Sequence, residues 1–200
     1  SKVVGRLVLR IADSDTPPVT FTPLATTVRG YLADVRSLIE TRRKEDETRA
    51  AILASGAFAL ASDPKAPVAA PPVKPATPAI ELAALDNAIA RLEASAKAYD
   101  AAYAAKGATL DTARRARLNA TLRDIDQTLM YDGGLPFRPW YRHMLYAPGR
   151  FTGYGAKTLP GVREAIEERR FDDASRYAGI TAKAIAAFAE RLDAARAIIG

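Results

Sequence analysis

The sequence predicts an all-α fold, a four-helix-bundle-like domain with long helices and one long aromatic-rich irregular loop, and three observations carry that prediction. Alanine makes up about a fifth of the 200 residues, glycine contributes 12 and cysteine none, a balance that favours helices over the short, glycine-punctuated strands of sandwiches and barrels. Apolar side chains recur at steps of three and four in four separate stretches. A hydrophobic content of 48% beside 26% charged residues is enough for one core and excludes disorder throughout.

The elements follow in order. Residues 1–13 begin in apolar material, Val3-Val4-Gly5-Arg6-Leu7-Val8-Leu9-Arg10-Ile11, with no initiator methionine, as expected of a piece of a longer protein. A turn comes next at 13–19. Thr22 and Pro23 then offer an N-cap and a first helical position, where proline loses only an amide that would be unpaired anyway. Leu24, Val28, Tyr31, Val35 and Leu38 put one apolar stripe on that helix, and helical composition continues to about Ala61.

Six of the 13 prolines fall within 64–78, among Ala, Val and Lys. Prolines this dense remove amide donors and push their neighbours toward extended backbone. Neither flank carries a complete core, so the segment is expected to be an ordered strap and not a hinge between domains. Leu85, Ile89, Leu92, Ala96, Tyr99 and Tyr103 form a second stripe, ended by Gly107, and Leu118, Leu122, Ile125 and Leu129 form a third. The last helix starts near Asp172 or Asp173 and carries Ile180, Ala184, Phe188, Leu192, Ala195 and Ile199. Packing the four faces together gives each a partner, and alanine-rich faces also allow close approach between subunits.

Composition narrows the chemistry. Without cysteine there is no disulfide scaffold, Fe–S cluster or thiolate zinc site, and a single histidine leaves no imidazole cluster for a catalytic metal. The 29 Lys and Arg against 23 Asp and Glu give a net charge of +6, but the charges are interspersed. The densest run, Arg42-Arg43-Lys44, turns at once to Glu45-Asp46-Glu47, the pattern of a solvated helix face, so no nucleic-acid partner is expected. No stretch approaches the ~20 apolar residues that span a bilayer, so no membrane span is expected either.

One segment stands apart. Residues 131–154 hold seven of the 15 aromatic residues, Tyr131, Phe137, Trp140, Tyr141, Tyr146, Phe151 and Tyr154, with no helical or strand period. Asp132-Gly133-Gly134, Pro136, Pro139, Pro148 and Gly149 interrupt regular structure repeatedly. A long loop this rich in rings is expected to be ordered and functional. With Arg138, Arg142, Arg150 and Lys157 nearby, it could stack on bases, bind an acidic small molecule, dock a partner protein, or simply pin itself to the bundle. His143 is expected to be a hydrogen-bonded packing residue, since no carboxylate or nucleophile lies at a diagnostic spacing from it.

Gly134-Leu135-Pro136, Arg138-Pro139, Tyr141-Arg142-His143, Tyr146-Ala147-Pro148, Tyr154 and Pro160-Gly161 together resemble the C-terminal domain of glutamate carboxypeptidase-type zinc peptidases, the transferrin-receptor-like dimerisation domain. The resemblance implies that 14–200 form this domain and that 1–13 are the last helix of a preceding peptidase domain. It implies a non-catalytic module that pairs two copies of the chain and closes over the substrate pocket of its own peptidase domain, with zinc held outside this chain and no cofactor within it. It also implies an extracytoplasmic location. In carboxypeptidase members a Lys-Tyr pair in this loop reaches the carboxylates of a C-terminal glutamate. Here the tyrosine is Tyr154, and Gly153 stands at the lysine position. Affinity for glutamate is then expected to fall unless Arg150 or Lys157 compensates. The residues alone also leave open a free-standing helical module that binds an anionic ligand.

Overall fold

The computed structural model describes residues 2–63, 65–66 and 69–200. Seven α-helices run in order along them: α1 (Lys2–Ala12), α2 (Thr22–Ala54), α3 (Ala57–Ala61), α4 (Ala83–Lys106), α5 (Thr112–Arg123), α6 (Pro160–Glu167) and α7 (Phe171–Ile199). Two short strands, β1 (Tyr146–Pro148) and β2 (Ala156–Thr158), lie between α5 and α6, so the fold is all-α with one small hairpin.

Helix α7 is the axis of the molecule. Its buried residues, among them Tyr177, Thr181, Ile185, Phe188 and Leu192, extend around much of the helix, and six of the twelve are alanine. Small side chains let neighbouring backbones come close, and a wide buried face serves several neighbours at once. Helix α4 packs most extensively on α7, α5 and α6 also lie against it, and α2 packs on α4 and α6. The stripe predicted for α4 is the observed one, with Leu85, Ile89, Leu92, Ala96 and Tyr99 buried and Tyr103 half-buried at the edge. On α7, Ala184, Phe188, Leu192, Ala195 and Ile199 are buried as expected, whereas Ile180 sits at the margin and Thr181 is inside.

The first long helix departs from the prediction in two ways. The buried residues of α2 are Ala25, Val28, Leu32, Val35 and Ile39, while Leu24, Tyr31 and Leu38 only flank the core. Both sets fit a step of three and four, and contact with α4 selects the one turned by a single residue. Phe21, not Thr22, occupies the N-cap, and its side chain offers no capping oxygen. The Asp100 carboxylate from α4 accepts the Phe21 amide at 2.9 Å and the Thr22 amide at 2.8 Å, doing across the bundle what an N-cap does locally. The same helix stops at Ala54, and Gly56 in the left-handed region (φ +71°) separates it from α3.

The third predicted helix is also interrupted. Helix α5 ends at Arg123, and Ile125–Leu129 continue as a 3-10 turn, although Leu118, Leu122, Ile125 and Leu129 are all buried as predicted. Helix α6 was absent from the sequence prediction. Its buried Val162, Ala165 and Ile166 do stand at helical spacing, but eight residues fall short of the window of about 11 or more over which such a period is read. Helix α1 forms, yet none of its residues is buried, and Val3, Val4, Leu7, Val8, Leu9 and Ile11 are all at least half exposed.

Pro64, Pro67 and Val68 of the expected strap lie outside the described residues. From residue 69 to 82 the chain is neither helix nor strand and is mostly exposed, and it is tied down at Thr77. The Thr77 amide and hydroxyl both donate to Asp46 Oδ2, at 2.9 and 2.6 Å. Arg169 grips the same carboxylate through both guanidinium nitrogens, at 2.7 and 3.1 Å, and also donates to the Pro75 carbonyl. These partners, Arg169 foremost, hold the Asp46 carboxyl down at about 2. A depressed folded value gives a stabilisation that is complete above the unfolded value near 3.9 and is lost as pH falls through about 2. Asp46→Asn is therefore expected to cost about 1.5–3 kcal/mol at pH 7, with the gap to the unsubstituted chain closing between about pH 4 and pH 2 in urea titrations.

Candidate functional site

The segment between α5 and α6 is not irregular throughout. The Met144 amide donates to the Leu129 carbonyl, Tyr131 to Arg142 and Leu135 to Tyr141, each at 2.9 Å. β1 pairs antiparallel with β2, with Tyr146 opposite Thr158, and the Leu159 amide closes the ladder on Leu145 at 2.8 Å. The segment is thus a chain of very short antiparallel pairings joined by tight turns. Each pairing spans two or three residues, which is why no period of two is legible in the sequence.

Its inner side is fixed by polar anchors. Arg138 is buried, and its guanidinium meets Glu164 of α6 at 2.5 Å, with both side chains 6% exposed. The other end of the guanidinium donates to the Pro148 carbonyl, and the second Glu164 oxygen accepts the Arg150 amide at 2.8 Å. Tyr177 of α7 donates its hydroxyl to the Gly134 carbonyl at 2.8 Å, and burial pushes that phenol upward, keeping it a donor. Gly161 lies flat against the Tyr177 ring, where a Cβ would come within 2.3 Å of Cδ1. Leu135, Met144 and Leu145 fill the space beneath.

The outer side is a shallow groove of about 410 Å³ walled by Trp140, Tyr141, Tyr146, Pro148, Tyr154 and Ala156. Tyr154 is fully exposed at its rim and Trp140 is 70% exposed. Gly153 beside it adopts φ +58° and opens the tip of the hairpin, where nothing lies within 4 Å of a would-be Cβ. His143 packs its ring 4.1 Å from that of Tyr146. Its Nδ1 accepts the Leu145 amide and its Nε2 faces Asp126, both at 3.3 Å, so the packing role expected of it is joined by a carboxylate 17 residues away that spacing did not reveal.

The cations expected near Tyr154 have separate partners. Arg150 lies 3.0 Å from Glu168 and stacks over the Phe137 ring at 3.9 Å. Lys157 meets both oxygens of Glu167, at 2.8 and 3.0 Å. Arg142, at the groove itself, pairs with Asp132. Arg138, grouped with these by sequence, points inward. A wider hollow of about 950 Å³ runs along α1, lined by that helix and Asp13, and is the open side of an uncovered helix. Among the described residues no three His, Cys, Asp or Glu side chains converge as a metal ion would require.

The transferrin receptor-like dimerisation domain family matches residues 80–193, from the end of the strap through most of α7. The chain belongs to that family. Over 57 residues the chain is 49% identical to a protein of Arthroderma benhamiae named "Probable glutamate carboxypeptidase", 28% of this chain and 8% of the relative. Over 53 residues, 26% of this chain and again 8% of the relative, it is 40% identical to the "Probable glutamate carboxypeptidase LAMP1" of Arabidopsis thaliana. The aligned part of the chain thus spans a small fraction of the length of these curated relatives.

The anchors of the dimerisation-family domain yield a direct test. Arg138→Met leaves the Glu164 charge buried without its cation and is expected to cost about 3–5 kcal/mol in urea unfolding. Adding Glu164→Gln should recover part of that loss, giving a coupling above about 1 kcal/mol in the double-mutant cycle.

Proposed function

We propose that this chain is the non-catalytic dimerisation domain of a glutamate carboxypeptidase-like zinc metallopeptidase, pairing two subunits and helping to complete the substrate pocket of the peptidase domain. The observation that carries the reading is the family match across 80–193, which takes in α4 to α7 together with the aromatic groove. The similarity to two proteins named as glutamate carboxypeptidases supports a peptidase parent. Zinc in that parent would be held by residues outside this chain, because the histidine here is committed to packing and no cluster of ligands forms among the described residues.

The exposed apolar side chains of α1 fit a helix that a peptidase domain covers. Tyr154, fully exposed at the groove rim, is the candidate substrate contact, a phenol able to donate a hydrogen bond while its ring forms pocket wall. A free-standing module for an anionic ligand has less support, since Arg150 and Lys157 are paired with Glu168 and Glu167.

Pairing is tested by sedimentation of the 200-residue chain, where a concentration-dependent shift to a two-fold dimer is expected; a monomer at all concentrations to about 100 μM would remove the pairing role. In the full-length parent, Tyr154→Phe is expected to raise KM roughly three- to tenfold with little change in stability, the effect of losing one hydrogen bond. Unchanged kinetics on acidic and neutral substrates alike would remove Tyr154 from the pocket.

A further inference from the structure

We infer that the groove beside Tyr154 receives an apolar or aromatic side chain of a peptide and not an acidic one. The inference rests on the pocket-completing role proposed above and names the class of side chain that role would serve. It comes from how charge is distributed around the groove.

Four cations surround the hairpin, and each faces a carboxylate: Arg138 with Glu164, Arg142 with Asp132, Lys157 with Glu167, and Arg150 with a Glu168 that it shares with Arg170. Two of these pairs, Arg138 with Glu164 and Arg150 with Glu168, further share the short path between the hairpin and α6, so drawing a cation away would unseat the segment that shapes the groove. The basic groups that line the groove itself, Arg142 and His143, meet Asp132 and Asp126. Gly153, at the tip next to Tyr154, contributes no side chain.

The walls that remain are rings and small apolar groups, Trp140, Tyr141, Tyr146, Pro148 and Ala156. A carboxylate entering here would exchange water for aromatic faces, with neutral phenol and indole donors beside an Arg142 already paired with Asp132, and neutral hydrogen bonds do not offset the desolvation of a charge. An apolar side chain loses only unfavourable hydration on the same path, and an aromatic one gains ring contacts with Trp140 and Tyr146. About 410 Å³ is within the range of small-ligand sites.

Trp140 is the single tryptophan of the chain and stands in the groove wall, so its fluorescence reports occupancy directly. The 200-residue chain is titrated with N-acetylphenylalanine and, separately, with N-acetylglutamate, two probes that differ only in side chain. The expected result is a saturable change at about tenfold lower concentration for the phenylalanine probe, weakened at least about fivefold by Tyr146→Ala with the melting temperature unchanged. Equal or tighter binding of N-acetylglutamate would overturn the apolar assignment while leaving the groove a ligand site. No saturable change with either probe would overturn both this inference and the pocket-completing role. A response untouched by Tyr146→Ala would place binding elsewhere and overturn the inference alone.

Discussion

The buried ion pair between Arg138 and Glu164 is the constraint on which the outer half of the molecule depends. Both side chains have left water almost completely, a cost that is recovered only if every charged lone pair and proton finds a partner. Most do: one Glu164 oxygen takes Arg138, the other takes the Arg150 amide, and the remaining face of the guanidinium serves the Pro148 carbonyl. Three points of a loop whose own antiparallel pairings are each very short are thereby tied to one turn of α6. Phe137 and Leu159 both sit in the left-handed region, at φ +63° and +46°. Such conformations cost of order 1–3 kcal/mol each and persist only where the surroundings over-determine them, as this clamp and the Leu159 to Leu145 bond do.

Helix α6 transmits that constraint to the bundle. Gly161 permits it to lie against the Tyr177 ring, and Val162, Ala165 and Ile166 are buried with it. Because α7 is rich in alanine on its buried faces, α4, α5 and α6 approach the same axis, and the loop is anchored through α6 to the most extensive packing in the fold. The rings on its outer side therefore project from a firmly held base. A mobile loop with the same composition would collapse its aromatics inward, whereas here Trp140, Phe151 and Tyr154 stay exposed.

Long-range carboxylates organise the other side of the domain in the same manner. Asp100 supplies the start of α2 with the cap its own sequence lacks, and Asp46 joins α2 to the strap and to Arg169 before α7. Arg29 of α2 reaches Asp86 and Glu93 of α4, and those contacts draw both carboxyls below their ordinary range. Interspersed charge, which along the chain looked like solvated helix faces, is in good part consumed between helices.

The sequence by itself determined the all-α class, the face of α4 and the position of the aromatic-rich segment. These depend on local quantities, the period of apolar residues and the density of proline and aromatic side chains, which are fully written in neighbouring residues. Tyr154 could be singled out only through an ordered string of residues resembling a family, not through any physical spacing. What the tertiary structure decided was everything that depends on which residues meet. It chose the Ala25, Leu32 and Ile39 register of α2 over its equally periodic neighbour, replaced the Thr22 cap by Asp100, formed α6, turned Arg138 inward and paired Arg150 and Lys157 with acids of α6 and its C-terminal end. A side chain's charge is readable from the chain, but whether that charge is free to meet a ligand depends on partners 10 to 123 residues away, and only folding brings them within reach.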